Sequence, residues 1–216
     1  STTLPGDLPG DVGFDPFGLA DYAPGCWFLG ERYKDIGVGT LTWYREAELM
    51  HGRIAQLAAL GWVFPEIAHF PGKPSMGIDF SELNPLAAID SVPSIANWQI
   101  FAFATLLEGG RIRTIIDQGD DYVAGDLGLG QGPLQTSPFG NGRFNPFNLD
   151  YTPEEYAEKQ LQEIKHCRLA MLAIAVMYLK TTGFEAGEGI LGDLGVGAFT
   201  QPEYFEKAGY FFPDGV

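Results

Sequence analysis

The stretch Glu48-Leu-Met-His-Gly-Arg-Ile-Ala55 recurs 115 residues later as Glu163-Ile-Lys-His-Cys-Arg-Leu-Ala170. Each copy places a carboxylate, an imidazole and a guanidinium group at the start of an apolar run. Because a helix turns by about 100° per residue, the Glu and the His of one copy share a helix face, whereas the Arg lies about 140° from the Glu. The Arg is poorly placed to neutralise the Glu of its own helix, so the repeat predicts that two helices exchange partners.

The predicted exchange joins the Glu of each copy to the Arg of the other, as Glu48–Arg168 and Glu163–Arg53, across helices related by a two-fold axis. A bridged carboxylate keeps free lone pairs, so it can bind a Lewis acid while the pair carries no net charge. The histidines of the repeat, His51 and His166, offer neutral ring nitrogens in the same setting. A flat magnesium tetrapyrrole suits these ligands, because its ring supplies four bonds and the protein adds only one.

A second duplication lies upstream of the first. Phe14-Asp-Pro-Phe-Gly-Leu19 recurs as Phe144-Asn-Pro-Phe-Asn-Leu149, so each half reads as a Pro-containing turn, a linker and then the charged helix. Internal repeats of this kind indicate architecture before any single motif does. The middle helix has no copy, and its own Glu108 and Arg111 are spaced to pair within one helix.

Composition narrows the class of protein. The chain has 216 residues and a net charge of −15, with 28 acidic against 13 basic residues, which excludes nucleic acid as a partner. No run of 18 wholly apolar residues occurs, yet three runs reach the length of a membrane span when their charged motifs are included. A soluble three-helix core is the alternative, although the long Gly- and Pro-rich stretch 123–147 is an unusual connection in a soluble bundle.

The sequence therefore predicts an all-α membrane protein of one domain, residues 1–216. Three transmembrane helices are expected, and the first and third cross as a pseudo-two-fold pair; the spans lie at about 42–69, 94–117 and 153–182. Pro65 is expected to kink or end the first helix, and Thr152-Pro-Glu-Glu155 to cap the third. Short amphipathic surface helices are expected near 82–89 and 201–212.

The two charged motifs resemble the light-harvesting chlorophyll-binding family. The same resemblance extends to Leu8-Pro-Gly-Asp-Val-Gly-Phe-Asp-Pro-Phe-Gly-Leu19 and to Gly61-Trp-Val-Phe-Pro-Glu66. It covers most of residues 8–185 and implies a multi-pass protein of the plastid thylakoid that binds chlorophyll a, a second chlorophyll type and carotenoids of the xanthophyll class. Magnesium is implied only within chlorophyll, and the partners implied are thylakoid lipids, neighbouring antenna subunits and a photosystem core, with photosystem I favoured.

The resemblance also implies roles for single residues. The chlorophyll-binding residues are Glu48, His51, Glu108, Glu163, His166 and Gln99, and all of them except Gln99 are implied as ligands of the chlorophyll magnesium. Their structural ion-pair partners are Arg53, Arg168 and Arg111. The loops that bind the ends of two central carotenoids contain Phe14, Asp15, Pro16, Phe144, Asn145 and Pro146. The chain departs from the family pattern at Lys180, which stands where members often have Gln, and at Ile100, which leaves the neighbouring Gln99 one position off.

Two other functions compete with light harvesting. Two E-x-x-H helices are also the signature of di-iron carboxylate enzymes, but these need further carboxylates on four helices, and adjacent arginines oppose cation binding. Photoprotective energy dissipation uses the same scaffold as harvesting. Because no nucleophile–base pair or redox motif is present, the sequence predicts that the chain is not an enzyme. The long loop between the second and third spans resembles red-lineage antenna members, and the RedCAP type in particular.

Overall fold

The computed structural model describes residues 6, 8–21, 39–67, 82, 84–126 and 151–183 of the chain. Four α-helices make up most of these residues: α1 Thr40–Ile67, α2 Pro85–Ser91, α3 Ser94–Gln118 and α4 Pro153–Gly183. Two short 3-10 turns, Leu19–Asp21 and Gly119–Asp121, complete the assigned elements. No strand occurs in the described ranges, so the predicted all-α class is confirmed.

The three long helices occupy the predicted stretches, with ends that differ from prediction by two residues or fewer. The short helix expected near 82–89 is α2, at Pro85–Ser91. The tail helix expected at 201–212 lies outside the described residues, as does the second copy of the upstream turn, 144–149. In the parts of the chain that are described, no helix combines the length and the apolarity that a hydropathy criterion requires of a membrane span.

Local sequence signals explain where the helices begin. At α4, the backbone N–H of Thr152 donates to Glu155 Oε2 at 2.9 Å, and the Glu155 N–H donates to Thr152 Oγ1 at 3.3 Å. This reciprocal pair is a capping box, and its Thr152 is the N-cap that the sequence predicts. At α2, Asn84 Oδ1 accepts from the Leu86 N–H at 3.0 Å, ahead of Pro85 at the first helical position. Pro65 does not end α1, which runs two residues beyond it.

The chain divides into two compact units, and α1, α3 and α4 each contribute to both. The first unit comprises residues 1–54 and 100–169, and the second comprises 55–99 and 170–216. All the charged side chains of the two repeated motifs fall in the first unit. In the second unit, the Asn97 side chain donates to the Ile89 carbonyl at 3.0 Å and so ties the start of α3 to α2.

The core of the first unit lies where α1 meets α4. Leu49, Ile164 and Cys167 are buried there, with Ala124 packed against them. Leu49 and Ile164 hold the same position in the two copies of the repeat. A Cβ placed on Gly52 would lie 2.2 Å from Cys167 Cβ and 2.9 Å from its Cα, so the two helices touch backbone to backbone at this point. Cys167 is fully buried at this contact.

Candidate functional site

Both ion pairs predicted from the repeat are present, and they have the same geometry. Arg168 Nε donates to Glu48 Oε1 at 2.7 Å, and Arg53 Nε donates to Glu163 Oε1 at 2.8 Å. The four side chains are half-buried, so the pairs are screened less than surface ion pairs are. Each pair joins α1 to α4 on either side of the Gly52–Cys167 contact.

The two-fold relation extends to two turns that the sequence reasoning did not connect. Arg168 Nη1 donates to the Gly10 carbonyl at 2.9 Å, and Arg53 Nη1 donates to the Gly125 carbonyl at 3.0 Å. Both glycines have positive φ, 72° and 91°. A Cβ on either would meet a core residue of the helix that carries its arginine, Ile164 of α4 for Gly10 and Leu49 of α1 for Gly125. Each glycine precedes an aspartate in the sequence, and this shared Gly-Asp pair is the sequence feature that could have indicated two equivalent turns.

The repeat histidines face outward with one ring nitrogen tied to the backbone. His51 Nδ1 lies 2.7 Å from the carbonyl oxygen of Ala47, and His166 Nδ1 lies 2.7 Å from that of Gln162. A carbonyl oxygen can only accept, so Nδ1 carries the proton in both rings. In the neutral ring, Nε2 then holds a lone pair, and both side chains are exposed. This arrangement is the one in which a histidine binds a metal through Nε2.

A buried carboxylate that sequence reasoning missed connects α1 to α3. Glu46 is 2% exposed and accepts three hydrogen bonds. They come from Arg111 Nη1 at 2.8 Å, the Tyr122 hydroxyl at 2.8 Å and the Gly125 backbone N–H at 2.6 Å. Burial raises the pKa of the Tyr122 hydroxyl, and the adjacent Glu46 carboxylate raises it further. Tyr122 therefore stays protonated and continues to donate.

The middle-helix pair forms within α3, as its spacing predicts. Arg111 Nε donates to Glu108 Oε2 at 2.9 Å, and Arg111 Nη2 donates to Glu108 Oε1. Arg111 is buried, and it also binds Glu46, so its guanidinium serves two carboxylates. Glu108 remains partly exposed, which leaves its oxygens accessible from the helix surface. Gln99, the sixth predicted ligand, is exposed on α3, and its role stays a prediction.

The first upstream turn forms one wall of a cavity of about 700 Å³. The Asp15 carboxylate accepts the backbone N–H groups of Leu19 and Ala20 at 2.8 and 3.0 Å. The hydrogen bond from Ala20, more than that from Leu19, holds the Asp15 pKa below its ordinary value. Phe14 is 81% exposed and lines the cavity together with Asp15 and the start of α1. Of the predicted carotenoid-loop residues, Phe144, Asn145 and Pro146 lie outside the described residues.

The site combines paired carboxylates, histidines with an outward lone pair and a cavity with mostly apolar walls. A comparison with known protein families agrees with these features. The sequence model of the Chlorophyll A-B binding protein family matches residues 1–182. The chain belongs to this family. Among its relatives, the chlorophyll a-b binding protein CP24 10A of Solanum lycopersicum is 34% identical, over 89% of this chain and 73% of the relative.

Two other relatives are named for a different pigment set and for a photosystem. The fucoxanthin-chlorophyll a-c binding protein of Chattonella marina var. antiqua is 33% identical, over 66% of this chain and 57% of the relative. The photosystem I chlorophyll a/b-binding protein 3-1 of Arabidopsis thaliana is 30% identical, over 86% of this chain and 67% of the relative. The chain thus spans little more than half the length of the Chattonella protein.

The residues present fit a family of chlorophyll binders. Chlorophyll magnesium would need one donor atom from the protein, and the described histidines and carboxylates could each offer one singly. Across residues 39–67, 84–126 and 151–183, no group of three or more His, Cys, Asp or Glu side chains is placed to hold a metal ion.

Proposed function

We propose that this member of the chlorophyll a-b binding family is a light-harvesting antenna subunit that passes excitation energy to a photosystem. The observation that carries the proposal is the state of the two repeat histidines. In both rings the Nδ1 proton is held by the backbone, and Nε2 faces outward beside an ion pair that joins two helices. Bound chlorophyll supplies light absorption and a magnesium ion that accepts one axial ligand.

The carboxylates act as further axial ligands in this proposal. Glu48, Glu163 and Glu108 each bind an arginine, which lowers the cost of placing a carboxylate in apolar surroundings. A carboxylate oxygen that accepts one N–H bond keeps a lone pair for magnesium. The cavity beside Phe14 and Asp15 is assigned to the end of a xanthophyll, because apolar side chains surround a turn with a polar carboxylate.

The proposed setting is the thylakoid membrane of a plastid, with α1, α3 and α4 crossing it. All three helices expose large apolar side chains: Leu57 is 71% exposed, Leu106 is 74% exposed and Leu172 is 68% exposed. Pigments, lipids and neighbouring antenna subunits would cover such surfaces, because contact between apolar side chains and water is unfavourable in free energy. The relatives described above carry the word chloroplastic in their names, which supports the plastid assignment.

Photosystem I is the favoured acceptor of the excitation energy. The support is the Arabidopsis relative, whose name assigns it to photosystem I, and a second Arabidopsis relative of the same designation at 26% identity. Native fractionation of thylakoids tests this assignment, with antibody detection of the chain. We expect the chain to co-migrate with photosystem I, and migration with photosystem II alone would reject the assignment.

Replacing either repeat histidine should remove one pigment and leave the rest in place. His51→Leu and His166→Leu each delete an outward Nε2 donor without disturbing an ion pair, so reconstituted protein is expected to lose about one chlorophyll in each case. Pigment counting by chromatography, normalised to protein, measures the loss. Unchanged chlorophyll counts in both variants would reject the ligand roles. The double variant should lose about two chlorophylls if the sites are independent.

A further inference from the structure

The three carboxylates assigned as ligands do not have the same number of cationic partners. Glu48 has two, because Arg45 Nη1 lies 3.0 Å from Glu48 Oε2 while Arg168 binds the other oxygen. Among residues 39–67, 84–126 and 151–183, Glu163 has one cationic partner, Arg53, which binds Oε1. The Glu48 group therefore carries a net charge of +1, and the Glu163 group is neutral. Arg45 has no equivalent in the second copy of the repeat, where the matching position is Gln160.

The third carboxylate, Glu108, belongs to a group with an excess of negative charge. Glu108 shares Arg111 with the buried Glu46, so two carboxylates face one guanidinium and the group carries a net charge of −1. Glu46 is held in place by Tyr122 and Gly125, which donate neutral hydrogen bonds and add no compensating charge. Its buried position limits screening by water, so its charge acts on the Glu108 group at close range.

We propose that Arg45 and Glu46, neighbours on α1, tune two magnesium-binding carboxylates in opposite directions. Arg45 withdraws electron density from Glu48 and weakens it as an axial donor. Glu46 competes for Arg111, which leaves Glu108 more anionic and strengthens it as a donor. The inference rests on the proposed function, because it concerns how firmly Glu48 and Glu108 hold their pigments. Both residues act through another side chain and are positioning residues rather than ligands.

Removing each charge should move pigment retention in opposite directions. Arg45→Gln leaves Glu48 paired with Arg168, and the chlorophyll at Glu48 should then survive about tenfold more competing imidazole than in the unchanged protein. Glu46→Gln leaves Glu108 in a neutral pair with Arg111, and its chlorophyll should be displaced at about tenfold less imidazole. The readout is the pigment released per protein as imidazole is raised. Glu48→Gln and Glu108→Gln first identify the absorption band of each pigment.

The opposite signs separate tuning from structural damage. A purely structural role for Arg45 predicts weaker retention in Arg45→Gln, so a rise in retention has no structural explanation. Arg45→Lys keeps the charge and should restore the original retention. Tyr122→Phe removes a hydrogen bond to Glu46 but keeps the negative charge of Glu46, so it measures any effect of packing on pigment retention. It can also be studied if Glu46→Gln does not fold. Retention of the chlorophyll at Glu108 should change far less in Tyr122→Phe than in Glu46→Gln.

An exposed arginine supplies the matched control. Arg113 pairs with Asp117 on the exposed surface of α3, and Arg113→Gln removes the same unit of charge from an ion pair that includes neither Glu48 nor Glu108. It should leave both retention curves unchanged. Equal shifts in Arg45→Gln and Arg113→Gln, or shifts of Arg45→Gln and Glu46→Gln in the same direction, would overturn the proposal while leaving the antenna assignment intact. A reconstituted protein that retains no chlorophyll at all would reject the antenna assignment and this inference together.

Discussion

Replacing Arg53 with Leu is expected to abolish stable folding and pigment binding together. The substitution strands the Glu163 carboxylate, which has no other cationic partner among the described residues, and removes the donor to the Gly125 carbonyl. An unpaired charge in a membrane span costs about 3 kcal/mol, a large share of the stability of a domain. Thermal unfolding after reconstitution, followed by pigment absorption, measures the effect.

Two further variants show whether the loss of the arginine partner of a glutamate causes the loss of stability. Arg168→Leu should be milder than Arg53→Leu, because Arg45 still faces Glu48. The double variant Arg53→Leu with Glu163→Leu removes both charges and should recover part of the stability, although not the pigment that we propose at Glu163. Equal stability of Arg53→Leu and the unchanged protein would show that the pair does not hold α1 to α4.

Gly52→Ala is the other substitution with a large expected effect. A Cβ at this position would lie 2.2 Å from Cys167 Cβ, 2.5 Å from its Sγ and 2.9 Å from its Cα. No rotamer change relieves contact with a backbone atom, so the helices must separate and lengthen both ion pairs. We expect a loss of at least about 3 kcal/mol, the upper end for overpacking, together with loss of pigments. Thermal unfolding and pigment counts measure it.

The chain offers a matched control on the same helix. Gly61 also lies in α1, and a Cβ there would meet nothing within 4 Å. Gly61→Ala should therefore be neutral or stabilising by about 1 kcal/mol, since Ala favours a helix over Gly. Adding Cys167→Gly to Gly52→Ala removes two of the three clashing atoms and should restore part of the stability. A Gly52→Ala protein as stable as Gly61→Ala would contradict the close contact of the helices.

Some of the site was predictable because the chain is duplicated. The spacing of Glu48 and Arg53 excluded pairing within one helix, and the second copy supplied the only partners at matching positions. The capping box at Thr152 and Glu155 was predictable for a similar reason, because all its atoms lie within one turn. Predictions of this kind depend on sequence periodicity or on contacts within one turn. They do not require knowledge of how each helix is rotated about its axis.

The Glu46 network could not be predicted in the same way. Arg45-Glu-Ala-Glu48 offers two carboxylates, and which one faces Arg111 depends on the rotation of α1 about its axis. Tyr122 and Gly125 reach Glu46 only because the turn after α3 folds back onto α1. The position before the second copy that matches Glu46 is Leu161, which carries no carboxylate, so the repeat gave no guide to this network.

Pigment analysis of the purified chain tests whether the protein is an antenna subunit. The protein should be isolated from plastid membranes, its bound pigments extracted and resolved by chromatography, and the amounts divided by the amount of protein. We expect chlorophyll a at about one molecule for each proposed magnesium ligand, together with carotenoids and strong red absorption before extraction. A colourless protein, or one that contains stoichiometric iron and no chlorophyll, would contradict the antenna assignment.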